Sequence, residues 1–216
     1  MMADLPILWS FRRCPYAMRA RLAIQSSGQR VALREILLKD KPPLFLATSP
    51  KGTVPVLQDA GTVIEESRDV MLWALGRNDP EGWLNMPDDG FALIDRCDGP
   101  FKMALDHTKY AVRYPDLHEA DAREEAMVFL RDLDARLQQS TFLMGANRTM
   151  ADMAILPFVR QFANTDRAWL DRQGLKPLTL WLDDFLHSER FQRIMTKYPP
   201  WQEGQDQVIF PQPTQG

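Results

Sequence analysis

Between residues 6 and 75, short apolar runs alternate with stretches of helical period. Residues 6–10 read as a buried strand and 15–27 as a helix ending near Gly28. A second strand, rich in β-branched and aliphatic side chains, is predicted at 31–36. Pro42 and Pro43 lie in a loop leading to a short helical stretch. Gly52 precedes a third strand at 54–58, and Asp59-Ala60-Gly61 turns it into a hairpin with 62–64. A helix follows at 67–75. The order β-α-β-α-β-β-α fits an α/β sandwich built on a four-stranded mixed sheet.

Residues 79–88 hold Pro80, Gly82 and Pro87 and show no sustained period, which marks a linker between residues 1–78 and 89–216. Beyond it helical periodicity dominates. Met127, Leu130, Leu133 and Leu137 share one face, and further helices are predicted at 150–164, 177–187 and 189–196. Asp98-Gly99-Pro100-Phe101-Lys102 interrupts the first of these patterns, and the tail after Tyr198 reads as irregular. The second half is therefore expected to be an all-α domain. Thr149-Met150-Ala151-Asp152 has the spacing of a capping box, although Arg148 stands where an apolar staple residue would be expected. Pro157, inside that helix, should kink it.

A chain of 216 residues is long enough for two small cores. Its net charge of −3, with no block of like charges, favours neither nucleic acid nor an anionic membrane surface. The start of the chain has no basic segment leading into a long apolar run, and nowhere do 18 apolar residues follow one another. Cytosol is the resulting expectation. His107, His118 and His187 show no paired spacing with Cys14 or Cys97, so no metal site is expected.

The strongest chemical signal is Cys14-Pro15, placed where the first strand gives way to the first helix. Pro15 suits the first helical position because its missing N–H is not needed there. Cys14 should then sit beside unpaired backbone N–H groups and the positive dipole end of the helix, both of which favour an anion. Arg12, Arg13 and Arg19 bring further positive charge. Together these should pull the thiol below the free value of about 8.5. Ala17 stands where a Cys-x-x-Cys motif has its second cysteine, so a resolving thiol must come from outside. Cys97 has no comparable context and reads as inert.

In Cys14-Pro15-Tyr16-Ala17, Leu38-Lys39-Asp40-Lys41-Pro42, the run from Ser49 through Gly52-Thr53-Val54-Pro55 to Leu57, and Ile64-Glu65-Glu66-Ser67, the chain resembles the cytosolic glutathione transferases. The likeness is to the classes with an active-site cysteine, omega-like and bacterial. The resemblance implies a thioredoxin-like N-terminal domain, an all-helical C-terminal domain and a homodimer. It implies glutathione as co-substrate, docked against Val54 before a cis Pro55 in the manner of an added strand. Glu66 would face the γ-glutamyl ammonium, Ser67 and the helix amides its carboxylate, and Lys41 the glycine carboxylate. Tyr16 would pack against the tripeptide or the core. Phe101, His107 and Tyr110 fall in the region that borders a second-substrate pocket, and are read first as core aromatics of a kinked helix.

The expected activity is thiol reduction of the thioltransferase or dehydroascorbate-reductase kind. Its substrate would be a small disulfide or electrophile, with Cys14 passing through a mixed disulfide with glutathione. Two alternatives remain at this level. One is conjugation of glutathione assisted by a hydroxyl such as that of Ser10, and the other a non-enzymatic regulatory protein on the same fold.

Overall fold

A computed structural model describes residues 5–114 and 118–212, so the expectations for residues 1–4 and for the last four lie outside the described residues. The first elements are β1 Ile7–Ser10, α1 Pro15–Ser27, β2 Val31–Glu35, α2 Pro43–Thr48, β3 Val56–Asp59, β4 Thr62–Ile64 and α3 Ser67–Leu75. They are followed by α4 Asp88–Arg96, α5 Lys102–Lys109, α6 Glu119–Gln139, α7 Met150–Ala163, α8 Arg167–Asp171, α9 Lys176–His187, α10 Glu189–Ile194 and β5 Val208–Phe210. The chain divides into two compact units, Met1–Glu81 with Glu189–Gly216, and Gly82–Ser188.

In the first unit β1 is central. It runs parallel to β2, with Leu8 opposite Leu33, and antiparallel to β3, with Leu8 opposite Leu57; β4 closes the hairpin. Helix α1 packs against α3. From Ala17 to Ile24 every residue of α1 is buried, including Arg19 and Arg21, so the helix has no solvent stripe through its middle. Trp9, Phe45, Val54 and Val56 form a core cluster, with Cys14 and Trp201 packed against it half-buried.

The sheet has five strands, in the order β4-β3-β1-β2-β5, and this corrects the expected four. The added strand comes from the tail that the sequence pattern leaves irregular. Val208–Phe210 lies antiparallel on β2, with Ile209 opposite Ala32. Upstream of it, Trp201 donates its backbone N–H to the Glu35 carbonyl at 2.7 Å and sets its ring edge-on to Trp9, with the Arg34 guanidinium over both rings. The described residues from Glu189 onward thus belong to the first unit and not to a helical domain running to residue 216. Three apolar residues among glutamines and prolines are too short a run to show a period, and their partner strand is far away in sequence.

The second unit is helical. Helix α6 packs on α5 and α9, and α7 packs on α4, α5 and α9. The predicted interruption is a π-helical turn, Cys97–Phe101, that widens the helix around Pro100 without ending it. Phe101 is buried against Phe129 and Phe162, a core aromatic. His107 meets Tyr114 edge-on. The capping box forms at the start of α7, and the helix continues through Pro157. Arg148 does not staple. It lays its guanidinium over the Phe142 ring and pairs with Asp184 at 3.6 Å.

Candidate active site

β1 ends at Ser10 and the chain turns through residues 11–13. Cys14 donates its N–H to the Phe11 carbonyl at 3.0 Å, and its own carbonyl receives the first helical bond, from Met18 at 2.9 Å. Its backbone is extended (φ −75°, ψ 125°), the usual state of a residue that caps a helix, and Pro15 opens α1. Cys14 as a residue is partly buried, neither sealed in the interior nor fully exposed. Its sulfur donates to the Val54 carbonyl, Sγ to O 3.7 Å, and the Val54-Pro55 peptide is cis. That carbonyl favours the protonated thiol, whereas the start of α1 favours the anion.

Lys41 reaches the same turn. A Cβ on Gly52 would stand 3.3 Å from the Lys41 Nζ and from Leu46, and Gly52 has φ +63°. Glycine is required there both for the backbone and for the close approach of the lysine. At the same end of the antiparallel β3–β4 pair, Glu66 stands at the cap position of α3 with extended backbone and Ser67 is its first residue. The Ser67 hydroxyl is buried and accepts from Arg19 Nε at 2.9 Å, leaving its own O–H to donate. Arg19 also lies over the Tyr16 ring, 5.3 Å from its centroid. Glu66 is exposed and paired with Lys51, whose ammonium is held above its ordinary range by that bond. Ser49 donates to Glu65 at 2.5 Å and ties down the approach to α3.

The structure thus brings Cys14 to Val54 and Lys41 to Gly52, and joins Ser67 to α1 through Arg19. Each of the three arginines expected near Cys14 has a partner of its own. Arg12 donates to the Met195 carbonyl at 3.2 Å, Arg13 lies over the Phe11 ring, and Arg19 serves Ser67 and Tyr16. Sequence reasoning missed Arg21 and Glu35. Arg21 is wholly buried and donates to Ser10 Oγ at 2.8 Å, the Ile194 carbonyl at 2.9 Å and Glu35 at 3.0 Å. A second arginine two residues after Arg19, followed by Leu22, Ala23 and Ile24, was the available signal. Ser10 is also wholly buried, and its oxygen accepts from Arg21. Cys97 is buried in the helical core of the second unit. Among the described residues no group of three His, Cys, Asp or Glu side chains is placed to hold a metal ion, and no helix is long and apolar enough to cross a membrane.

Two family models match the chain. The glutathione S-transferase N-terminal domain covers residues 8–82, and the glutathione S-transferase C-terminal domain covers residues 92–184. The chain belongs to the glutathione S-transferase family. Among its relatives, glutathione S-transferase omega-1 of Sus scrofa is 41% identical over 61 residues, 28% of this chain and 25% of that protein. Glutathione S-transferase DHAR2 of Arabidopsis thaliana is 28% identical over 147 residues, 67% of this chain and 64% of its own length. The aligned segments thus span a quarter of the first relative and somewhat under two thirds of the second.

Solved structures share the fold. Glutathione transferase Omega 3C from Trametes versicolor superposes with a TM-score of 0.75 at 17% identity, covering 91% of each chain. A glutathione transferase family member from Pseudomonas fluorescens, with two glutathione bound, has a TM-score of 0.75 at 17% identity over 90% of this chain and 94% of its own. The transferase fold is therefore common to both units of this family member, and its N-terminal unit is thioredoxin-like with a mixed sheet.

Proposed function

We propose that this family member is a cytoplasmic, cysteine-dependent thioltransferase that reduces small disulfides or related electrophiles with glutathione. The observation that carries the reading is a partly buried Cys14 at the start of α1, its sulfur within hydrogen-bond reach of the Val54 backbone. The omega-1 and DHAR2 relatives support it. Homodimer assembly belongs to the same proposal.

In this reading glutathione lies along Val54 and Pro55. Its glycine carboxylate meets Lys41, and its γ-glutamyl carboxylate takes the Ser67 O–H and the first amides of α3, whose dipole favours it. Its ammonium faces Glu66, and Tyr16 borders the tripeptide. The Cys14 thiolate attacks the glutathionyl sulfur of a mixed disulfide. The S–S bond breaks, the substrate sulfur leaves as a thiolate and takes a proton from water, and Cys14 is left disulfide-bonded to glutathione. A second glutathione thiolate attacks that sulfur, releasing oxidised glutathione and the Cys14 thiolate.

The test is the rate of Cys14 alkylation across pH, mapped by mass spectrometry and repeated with glutathione. The expected midpoint lies clearly below the free-thiol value of about 8.5, and glutathione slows the reaction by occupying the site. A midpoint at the free-thiol value, with no effect of glutathione, would overturn the proposal. Ser67→Ala checks the binding half. Loss of a hydrogen bond to a charged group costs about 1.5–3 kcal/mol, so KM for glutathione should rise roughly 10- to 100-fold with kcat nearly unchanged. A KM within twofold of the wild type, in a variant that remains folded, removes Ser67 from the site.

A further inference from the structure

The polar network beneath the Cys14 turn has no part in the binding scheme above, yet it is the most heavily buried cluster of charge in the first unit. Arg21 lies seven residues after Cys14, two helical turns along α1 and so on the same face. Helical side chains lean toward the N-terminus, which carries the long guanidinium back toward the turn. It meets Ser10 at the end of β1, Glu35 at the end of β2 and the Ile194 carbonyl at the end of α10. The second oxygen of Glu35 accepts the backbone N–H of Arg12, inside the turn itself, at 2.6 Å. The Arg12 guanidinium donates to the next carbonyl of the C-terminal segment, that of Met195. One carboxylate and one guanidinium thus join both central strands, the turn, α1 and the returning tail.

Stability alone does not explain this arrangement. Burial pulls Arg21 below its ordinary value and pushes Glu35 above its own, and pairing offsets these shifts without cancelling them. A buried ion pair of this kind is often no more stabilising than apolar side chains of equal volume. What it does supply is direction, because each donor and acceptor admits one geometry, and a charge that solvent screens little. The groups facing Arg21 are Glu35 from β2, Arg12 from the turn, Tyr198 from the tail and Cys14 itself, whose anion and the buried cation stabilise each other. Tyr198, pushed up by burial, is neutral at ordinary pH.

We propose that Arg21 and Glu35 are positioning residues for Cys14, Glu35 fixing the turn that presents the sulfur while the buried Arg21 cation favours its ionised form and Glu35 moderates that cation. The proposal deepens the reading of Cys14 as a nucleophile, but its readout, the alkylation midpoint of Cys14, does not depend on any turnover.

Glu35→Gln keeps an oxygen for the Arg12 N–H and removes the charge, so Arg21 is left uncompensated. The Cys14 midpoint should fall by about half a unit to one unit. Arg21→Met leaves the Glu35 carboxylate alone and should raise the midpoint by a similar amount, and Arg21→Lys should bring it most of the way back. Opposite shifts from the two halves of one pair are what loosened packing would not produce. Shifts of the same sign, or none in folded variants, overturn the proposal.

Should Arg21→Met fail to fold, the Arg21→Met/Glu35→Gln double variant takes its place. Its midpoint is expected near that of the wild type and above that of Glu35→Gln, and agreement with Glu35→Gln would overturn the proposal. Disulfide reduction is measured alongside. A wild type with opposite-signed variant shifts but no turnover would sink the thioltransferase reading and leave this one standing.

Discussion

Cys14→Ala is expected to reduce a glutathione mixed disulfide at no more than about a thousandth of the wild-type rate, because the covalent intermediate has nowhere to form. No other thiol in the chain can take over. Ala17 occupies the place of a second cysteine in the motif, and Cys97 is buried in the other unit. The alanine variant should still be retained on immobilised glutathione, since Val54, Lys41 and Ser67 are untouched. Cys14→Ser sharpens the test. A serine hydroxyl ionises far less readily than a thiol and cannot form a mixed disulfide, so reduction should be lost as completely. Its O–H, however, can donate to the sulfur of a docked glutathione, so conjugation to an aryl halide should rise above the wild-type level. Reduction retained by either variant would defeat the cysteine mechanism. Loss of glutathione retention in both would instead point to a collapsed site.

The largest effect on stability is expected at Asp152, a residue with no part in the proposed chemistry. Its carboxylate is wholly buried in the second unit. It accepts from the Thr149 N–H at 2.9 Å, the Thr149 hydroxyl at 3.0 Å, the Leu143 N–H at 3.0 Å and the Trp181 indole at 3.2 Å. Burial pushes this carboxyl above its ordinary value, and the four donors only partly draw it back. Asp152→Ala strands these donors without water, at about 1–3 kcal/mol for each one left unsatisfied. After partial rearrangement, a loss of about 3–5 kcal/mol is expected, a large share of what holds a domain of this size together. Asp152→Asn should recover little, because its amide would point N–H groups at donors. Urea unfolding of the intact chain measures both. A loss below about 1 kcal/mol for the alanine variant would show that the capping box and the Trp181 contact are dispensable.

The two variants also separate two kinds of legibility. The Thr149–Asp152 box could be read from the chain because a cap is local. The two residues stand one turn apart, and their bonds close within that turn. Leu143 and Trp181 could not be added to the list, since nothing in their own neighbourhood marks them as donors to Asp152. The same contrast runs through the site. Cys14 at a strand-to-helix junction, Pro15 behind it and Gly52 before Val54 are placed by rules that act over a few residues. The deployment of the arginines is not. Arg12, Arg13 and Arg19 look like one cationic cluster in the sequence, but the structure sends them to a carbonyl, a ring and a serine hydroxyl.

What the chain alone determined is therefore its local framework: the β-α-β-α-β-β-α order, the change to helical period beyond residue 88, and the cysteine at a helix start. Periodicity, turn chemistry and capping depend on neighbours within a turn or a strand. Only the tertiary structure decided that residues 208–210 complete the sheet, that Ser10 is buried under Arg21, and that Arg21 and Glu35 meet beneath the Cys14 turn. Each of these depends on groups far apart in sequence whose hydrogen bonds and charges must be satisfied by one another once water is gone, and no local pattern records that choice of partner.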